Sequence, residues 1–217
     1  MLGQRRSALV RFAPLFWKPN PDAASAHRAF LEKLLTRGAA VGYRTPTSVL
    51  IAAAQAEGWN VDDAHVPDGR WVDDPDATEM WARFVEDHRA DRVRMVCPVY
   101  EPARADFAAA YGLSVANTWW LRELPGSEGG TANERVALPG ATAVTVSAPP
   151  VYAPPGPMLF LPEVADPWQA ITPALEVAAR RGCAGVVVDH HPGEDALEAA
   201  LIGAGFRAHC AYYTGPL

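Results

Sequence analysis

Residues 195–217 read DALEAALIGAGFRAHCAYYTGPL, a helix-forming run halted by glycine and succeeded at once by a strand-forming one. Ala, Leu and Glu dominate 194–204, and Gly205 stands where a left-handed residue ends a helix. Phe206–Tyr213 is rich in aromatic residues and predicts a strand. Working backwards, Gly185–Asp189 reads as an apolar strand, Pro173–Arg181 as a helix and Met158–Val164 as another strand. The same order occurs earlier, as strand 59–66, helix 77–89, strand 92–99, helix 102–111 and strand 113–124. EPARADFAAAYGL (101–113) uses the same device, a short Ala-rich helix closed by Gly112 and leading into a strand. Alternating strands and helices predict an α/β class. Two copies are too few for a solenoid, so the pattern points to two related halves.

Outside these copies, Ala23–Arg37 places Ala26, Phe30, Leu31, Leu34 and Leu35 on one helical face, with Asp22 or Ser25 as its cap and Gly38 as its stop. Val41–Tyr43 and Ser48–Ala54 are extended segments joined through Thr45-Pro46-Thr47. Asp74 or Asp76 is the expected cap of helix 77–89. PGSEGGTANE (125–134) has linker composition, 136–147 reads as a hairpin broken at Pro139-Gly140, and APPVYAPPGP (148–157) as a proline-rich connection. The expected organisation is therefore a half at 1–124, a linker at 125–135 and a shortened half at 136–217.

Composition narrows the function. Of 217 residues, 49% are hydrophobic and 20% charged, which excludes disordered and coiled-coil chains. The net charge of -6 argues against nucleic acid and anionic membranes as partners, since those surfaces select for Lys and Arg. Cys97, Cys183 and Cys210 form no CxxC pair, so no disulfide framework or cysteine zinc site is expected, and a reducing cytoplasm fits. Arg5 and Arg6 precede apolar residues, but Arg11 and Pro14 interrupt the run and no cleavage site comes after it, so Met1–Trp17 reads as mature chain. No window approaches the roughly 20 apolar residues that span a bilayer.

On EPARADFAAAYGL (101–113) and DALEAALIGAGFRAHCAYYTGPL (195–217), the chain resembles the GNAT superfamily of acyltransferases. The first segment is similar to the stretch after the fifth strand of those enzymes, the second to their closing helix, Gly-Phe turn and last strand. The resemblance implies two GNAT-like mixed sheets flanked by helices, the second half truncated. It implies acyl transfer from acetyl-CoA or another acyl-CoA to an amine, on a small molecule or a protein. The acyl-CoA is expected between two splayed parallel strands at Val164, Asp166, Trp168, Gln169 and Ala170, with Glu101 or Glu163 deprotonating the amine.

Members of the superfamily cradle the CoA pyrophosphate with Arg or Gln, two residues, Gly, one residue, then Gly or Ala, before the third helix. Here the corresponding loops are PDGRWVDDPDATE (67–79), with Asp68, Asp73, Asp74 and Asp76, and EVADPWQAITPA (163–174), with no glycine and with Pro167 and Pro173. The general-acid tyrosine of many members falls at Ala108 and Leu201. These departures carry the alternative expectation, a catalytically inactive GNAT-like binding or interaction protein.

GVVVDHHPGE (185–194) resembles the DHH phosphoesterase signature, which implies metal-activated water held by Asp189, His190 and His191. The further aspartates that family needs are missing, and adjacent strand residues point to opposite faces, so no metal site is assigned and a polar strand end is the plainer reading. His27, His65, His88 and His209 are scattered, and Cys97 reads as an inert buried thiol. Trp119-Trp120 on one strand should face opposite sides. Exposed edge strands invite a homodimer.

Overall fold

The computed structural model describes residues 23–67, 70–89, 91–126, 131–147 and 154–217, with backbone alone at 23 and 24. Asp22, Asp68, the glycine-rich part of the linker (127–130), most of the proline-rich stretch (148–153) and Met1–Trp17 lie outside the described residues. The elements run α1 (Ala23–Thr36), β1 (Ala40–Arg44), β2 (Val49–Gln55), β3 (Gly58–His65), α2 (Pro75–Asp87), β4 (Arg92–Pro98), α3 (Pro102–Ala110) and β5 (Ser114–Glu123). Then come β6 (Arg135–Leu138), β7 (Ala141–Val146), β8 (Met158–Val164), α4 (Pro167–Arg180), β9 (Gly185–His190), α5 (Asp195–Gly203) and β10 (Arg207–Pro216). Among the described residues no helix is long and apolar enough to cross a membrane.

The chain forms two compact units. The first holds α1 to α3 and β1 to β4, and also the end of the chain, Cys210–Leu217. Its strands run β1-β2-β3 antiparallel, then β4 parallel to β3 and β10 antiparallel to β4, from Cys210↔Pro98 to Pro216↔Arg92. Trp81, Phe84 and Phe107 of α2 and α3 share one core with Leu50, Val61 and Met95 of this sheet. Trp81 lies 5.4 Å from Phe84 and 5.6 Å from Phe107 between ring centroids. The helices form because their apolar residues recur at three and four positions, as Ala77, Met80, Trp81 and Phe84 do.

The second unit spans Asn117–His209. Here β6-β7-β8 is antiparallel, β9 is parallel to β8, and β5 closes antiparallel on β9 from Thr118↔His190 to Glu123↔Gly185. Leu159, Leu161, Val186 and Val188 pack beneath Ile171, Ala174, Leu197 and Leu201 of α4 and α5. As the alternation requires, Trp120 joins this core while Trp119 packs on the other face, 5.5 Å from Phe160.

The boundary that differs most from the sequence reading is the start of α4. α4 begins at Pro167 and not at Pro173, because Asp166 accepts from the Gln169 N–H and proline is at home in the first helical position. Pro173 therefore sits inside the helix.

Candidate functional site

Ligands in open α/β sheets gather at the carboxyl ends of parallel strands, so the two parallel pairs mark where a site would lie. In the first unit the β3/β4 ladder stops at Val61↔Met95, although β3 runs on to His65 and β4 to Pro98. In the second, the β8/β9 ladder stops at Leu161↔Val188, while the strands continue to Val164 and His190. Both openings coincide with a bulge. Ile51 and Ala52 pair with Asp63 and Val61, leaving Asp62 extra, and the β7/β8 register shifts between Thr142↔Glu163 and Val144↔Phe160.

At the first opening an arginine bonds to β3 where the ladder stops. Arg104 of α3 is fully buried, and its Nη2 donates to the carbonyls of Val61 at 3.1 Å and Asp62 at 2.9 Å. Its Nη1 reaches Glu101 Oε2 at 3.3 Å, and the guanidinium carbon lies 5.4 Å from the centroid of the Trp71 ring. Glu101 occupies the N-cap of α3 without a side-chain capping bond, so its carboxylate serves Arg104 in place of the helix end.

In the second opening, α5 presents Leu197 three residues after its N-cap Glu194, where α3 presents Arg104 three residues after Glu101. Leucine carries no donor. Asp189 accepts from Asn117 Nδ2 at 2.5 Å on one face of β9. On the other face His190 stands 6.1 Å from the ring of Trp120, which is 9% exposed. His190 Nε2 and Trp120 Nε1 are buried and have no hydrogen-bond partner among the described residues. Glu194 turns back to accept from the His191 N–H at 2.6 Å. Asp189 and His190 thus address opposite faces, and no group of three His, Cys, Asp or Glu among the described residues is arranged to hold a metal.

The expected site residues divide between the units. Glu101 lies in the first. In the second, Glu163 is exposed near the end of β8 and Val164 is half-buried, whereas Ala170 is buried. Asp166 is the N-cap of α4, Gln169 bonds that cap through Nε2 at 2.8 Å, and Trp168 is 70% exposed. Arg104 and Asn117 belong to no site motif visible in the sequence. Arg104 left a trace there, since it shares a helical face with Phe107 and Ala108 in an otherwise alanine-rich turn.

A CoA pyrophosphate needs free N–H groups at a helix start. At α2 the Asp74 carboxylate already accepts from the Ala77 N–H at 3.0 Å, and Pro75 removes another donor. Asp76 beside it is bonded by Thr47, and the bonds from Thr47 and Thr45 hold its carboxyl below the usual range. At α4, Asp166 and Pro167 repeat the arrangement. The turn between β6 and β7 also lies against this end, with Gly140 O accepting from the Ala165 and Asp166 N–H groups. A Cβ on Gly140 would stand 3.0 Å from Asp166, so the approach is close. Neither helix start fits a pyrophosphate, because each places a carboxylate and a proline where the phosphates need donors.

A surface hollow of about 450 Å³ in the second unit is lined by Leu121, Arg122, Glu123, Gly203, Ala204, Gly205 and Arg207. It lies at the amino-terminal end of β9, away from the carboxyl ends of the parallel strands. Its cations are engaged, Arg122 with the Ala204 carbonyl at the end of α5 and Arg207 with Glu123 at 2.7 Å.

The chain has a GNAT-like fold. A presumptive acetyltransferase from Thermoplasma acidophilum superposes with a TM-score of 0.52 at 10% identity, over 93% of this chain and 92% of its own. A presumptive acetyltransferase from Pyrococcus horikoshii gives 0.49 at 12% identity, over 92% and 81%. A tandem GNAT protein from the clavulanic acid biosynthesis pathway gives 0.42 at 14%, over 82% and 83%. No family model matches the sequence, and no curated protein matches it.

Proposed function

We propose that this chain is a GNAT-fold binding or interaction protein that does not use acyl-CoA as an acyl donor. The observation that carries the reading is the pair of helix starts, each with an aspartate cap and a proline in the first helical position, Asp74-Pro75 and Asp166-Pro167. A carboxylate at that place repels phosphate and already satisfies the donors that would bind it. The absence of tyrosine at Ala108 and Leu201, both buried, accords with this. The matched ladders of the two units support a tandem organisation, a half at 1–124 and a shorter one at 136–217. Three buried cysteines outside any disulfide suit a cytoplasmic location, and β1 and β6, each at one end of its unit's strand order, are where a second copy would pair.

Calorimetric titration with acetyl-CoA and then free CoA tests the reading. No saturable heat is expected at ligand concentrations up to ~1 mM. Micromolar saturable binding of either ligand would overturn it.

One observation favours a second reading. Glu163 is exposed where β8 has left β9, a place from which a carboxylate can take a proton from an incoming amine. On this reading Val164, Asp166, Trp168, Gln169 and Ala170 line the site of an acyl donor, and Glu163→Gln abolishes transfer to an amine while leaving donor binding in place. Detection of acyl transfer that survives Glu163→Gln would remove Glu163 from that role.

A further inference from the structure

We infer that the opening between β3 and β4 is a guanidinium-binding site whose resident ligand is the chain's own Arg104. In a regular strand successive carbonyls point to opposite edges, so one donor nitrogen cannot serve both. The extra residue at Asp62 breaks that alternation and lets Arg104 Nη2 take the carbonyls of Val61 and Asp62 together, at 3.1 and 2.9 Å. The second amino group of the fork meets the Glu101 carboxylate at 3.3 Å, and the plane lies near the Trp71 ring. Two carbonyls, one carboxylate and an aromatic neighbour suit a flat, forked cation and serve an ammonium poorly. α5 has Leu197 in the place of Arg104, so the β8/β9 opening is not closed by this means.

The inference concerns the first unit alone and does not depend on whether acyl-CoA binds, so its failure leaves the acyl-CoA titration unaffected. Its test is chemical rescue. Removing one member of a buried ion pair strands the other, and Arg104→Ala is expected to lower Tm by about 10 °C. About 10 mM methylguanidinium should then raise the variant's Tm by roughly 4 °C, as expected for a ligand near tenfold its Kd. Methylammonium and sodium chloride at equal ionic strength should not, and the wild-type chain should not respond. A variant that gains nothing over the salt control overturns the inference. Should Arg104→Ala fail to fold, Arg104→Lys decides the question. It keeps the charge without the fork and is expected to melt several degrees below wild type, and a melt equal to wild type would refute guanidinium recognition.

Discussion

His209 of β10 is held neutral by burial and, to a lesser degree, by the Arg207 cation, which together push its imidazole down to about 4. The unfolded group titrates near 6.5, so as pH falls the unfolded state takes up the proton first. The contribution is intact above pH ~6.5 and is lost as pH falls from there toward ~4. Between pH 7 and pH 5 it removes about 2 kcal/mol. Urea unfolding at the two values should show this loss in the wild-type chain and a loss smaller by that amount in His209→Gln. The cysteines give a second residue-scale expectation. Cys97, Cys183 and Cys210 are buried, and burial raises the Cys183 thiol. A thiol reagent at pH 8 should label none of them quickly in the native chain and all three once it is unfolded.

At the scale of single elements, the helix starts have a measurable stability role. Asp74→Ala or Asp166→Ala removes the bond to Ala77 N or Gln169 N. Each should cost about 1 kcal/mol, a fall of roughly 2–4 °C in Tm by calorimetry. Pro173 acts in the opposite sense. Inside α4 it deprives the Gln169 carbonyl of its helical partner, so Pro173→Ala should raise stability by about 1–3 kcal/mol in a denaturant titration. No gain would mean that α4 has fully absorbed the proline as a bend. Gly58 joins β2 to β3 with φ of 125°, and a Cβ there would lie 2.1 Å from the Arg92 carbonyl of β4. Gly58→Ala meets fixed backbone as well as an unfavourable dihedral and should cost more than about 3 kcal/mol.

Across the whole molecule, each compact unit takes its closing strand from the other half of the sequence. The first unit's β4 pairs with β10, and the second unit's β9 pairs with β5. Residues 1–124 expressed alone therefore lack the strand that covers β4, and residues 136–217 alone lack the one that covers β9. Each piece should be poorly folded by circular dichroism and prone to association through the bare edge, while co-expression should recover soluble folded protein. Two separately stable, monomeric pieces would contradict this dependence.

The order of strands and helices was written in local chemistry. Apolar spacing of 3.6 or 2, glycine at 112 and 205, and caps such as Asp74 act within a few residues of chain, so reading along the sequence finds them. For the start of α4, Pro173 is the stronger local signal, and only the Asp166 cap with Pro167 behind it locates the true first turn. Which strand closes which unit, the bonds of Arg104 to two carbonyls of β3, and the pairing of Asn117 with Asp189 were decided in three dimensions. They join residues 42 to 124 positions apart, from Asp62–Arg104 to Arg92–Pro216. Contacts of that reach depend on how helices and sheets pack, and side-chain type and near-neighbour spacing carry no record of them.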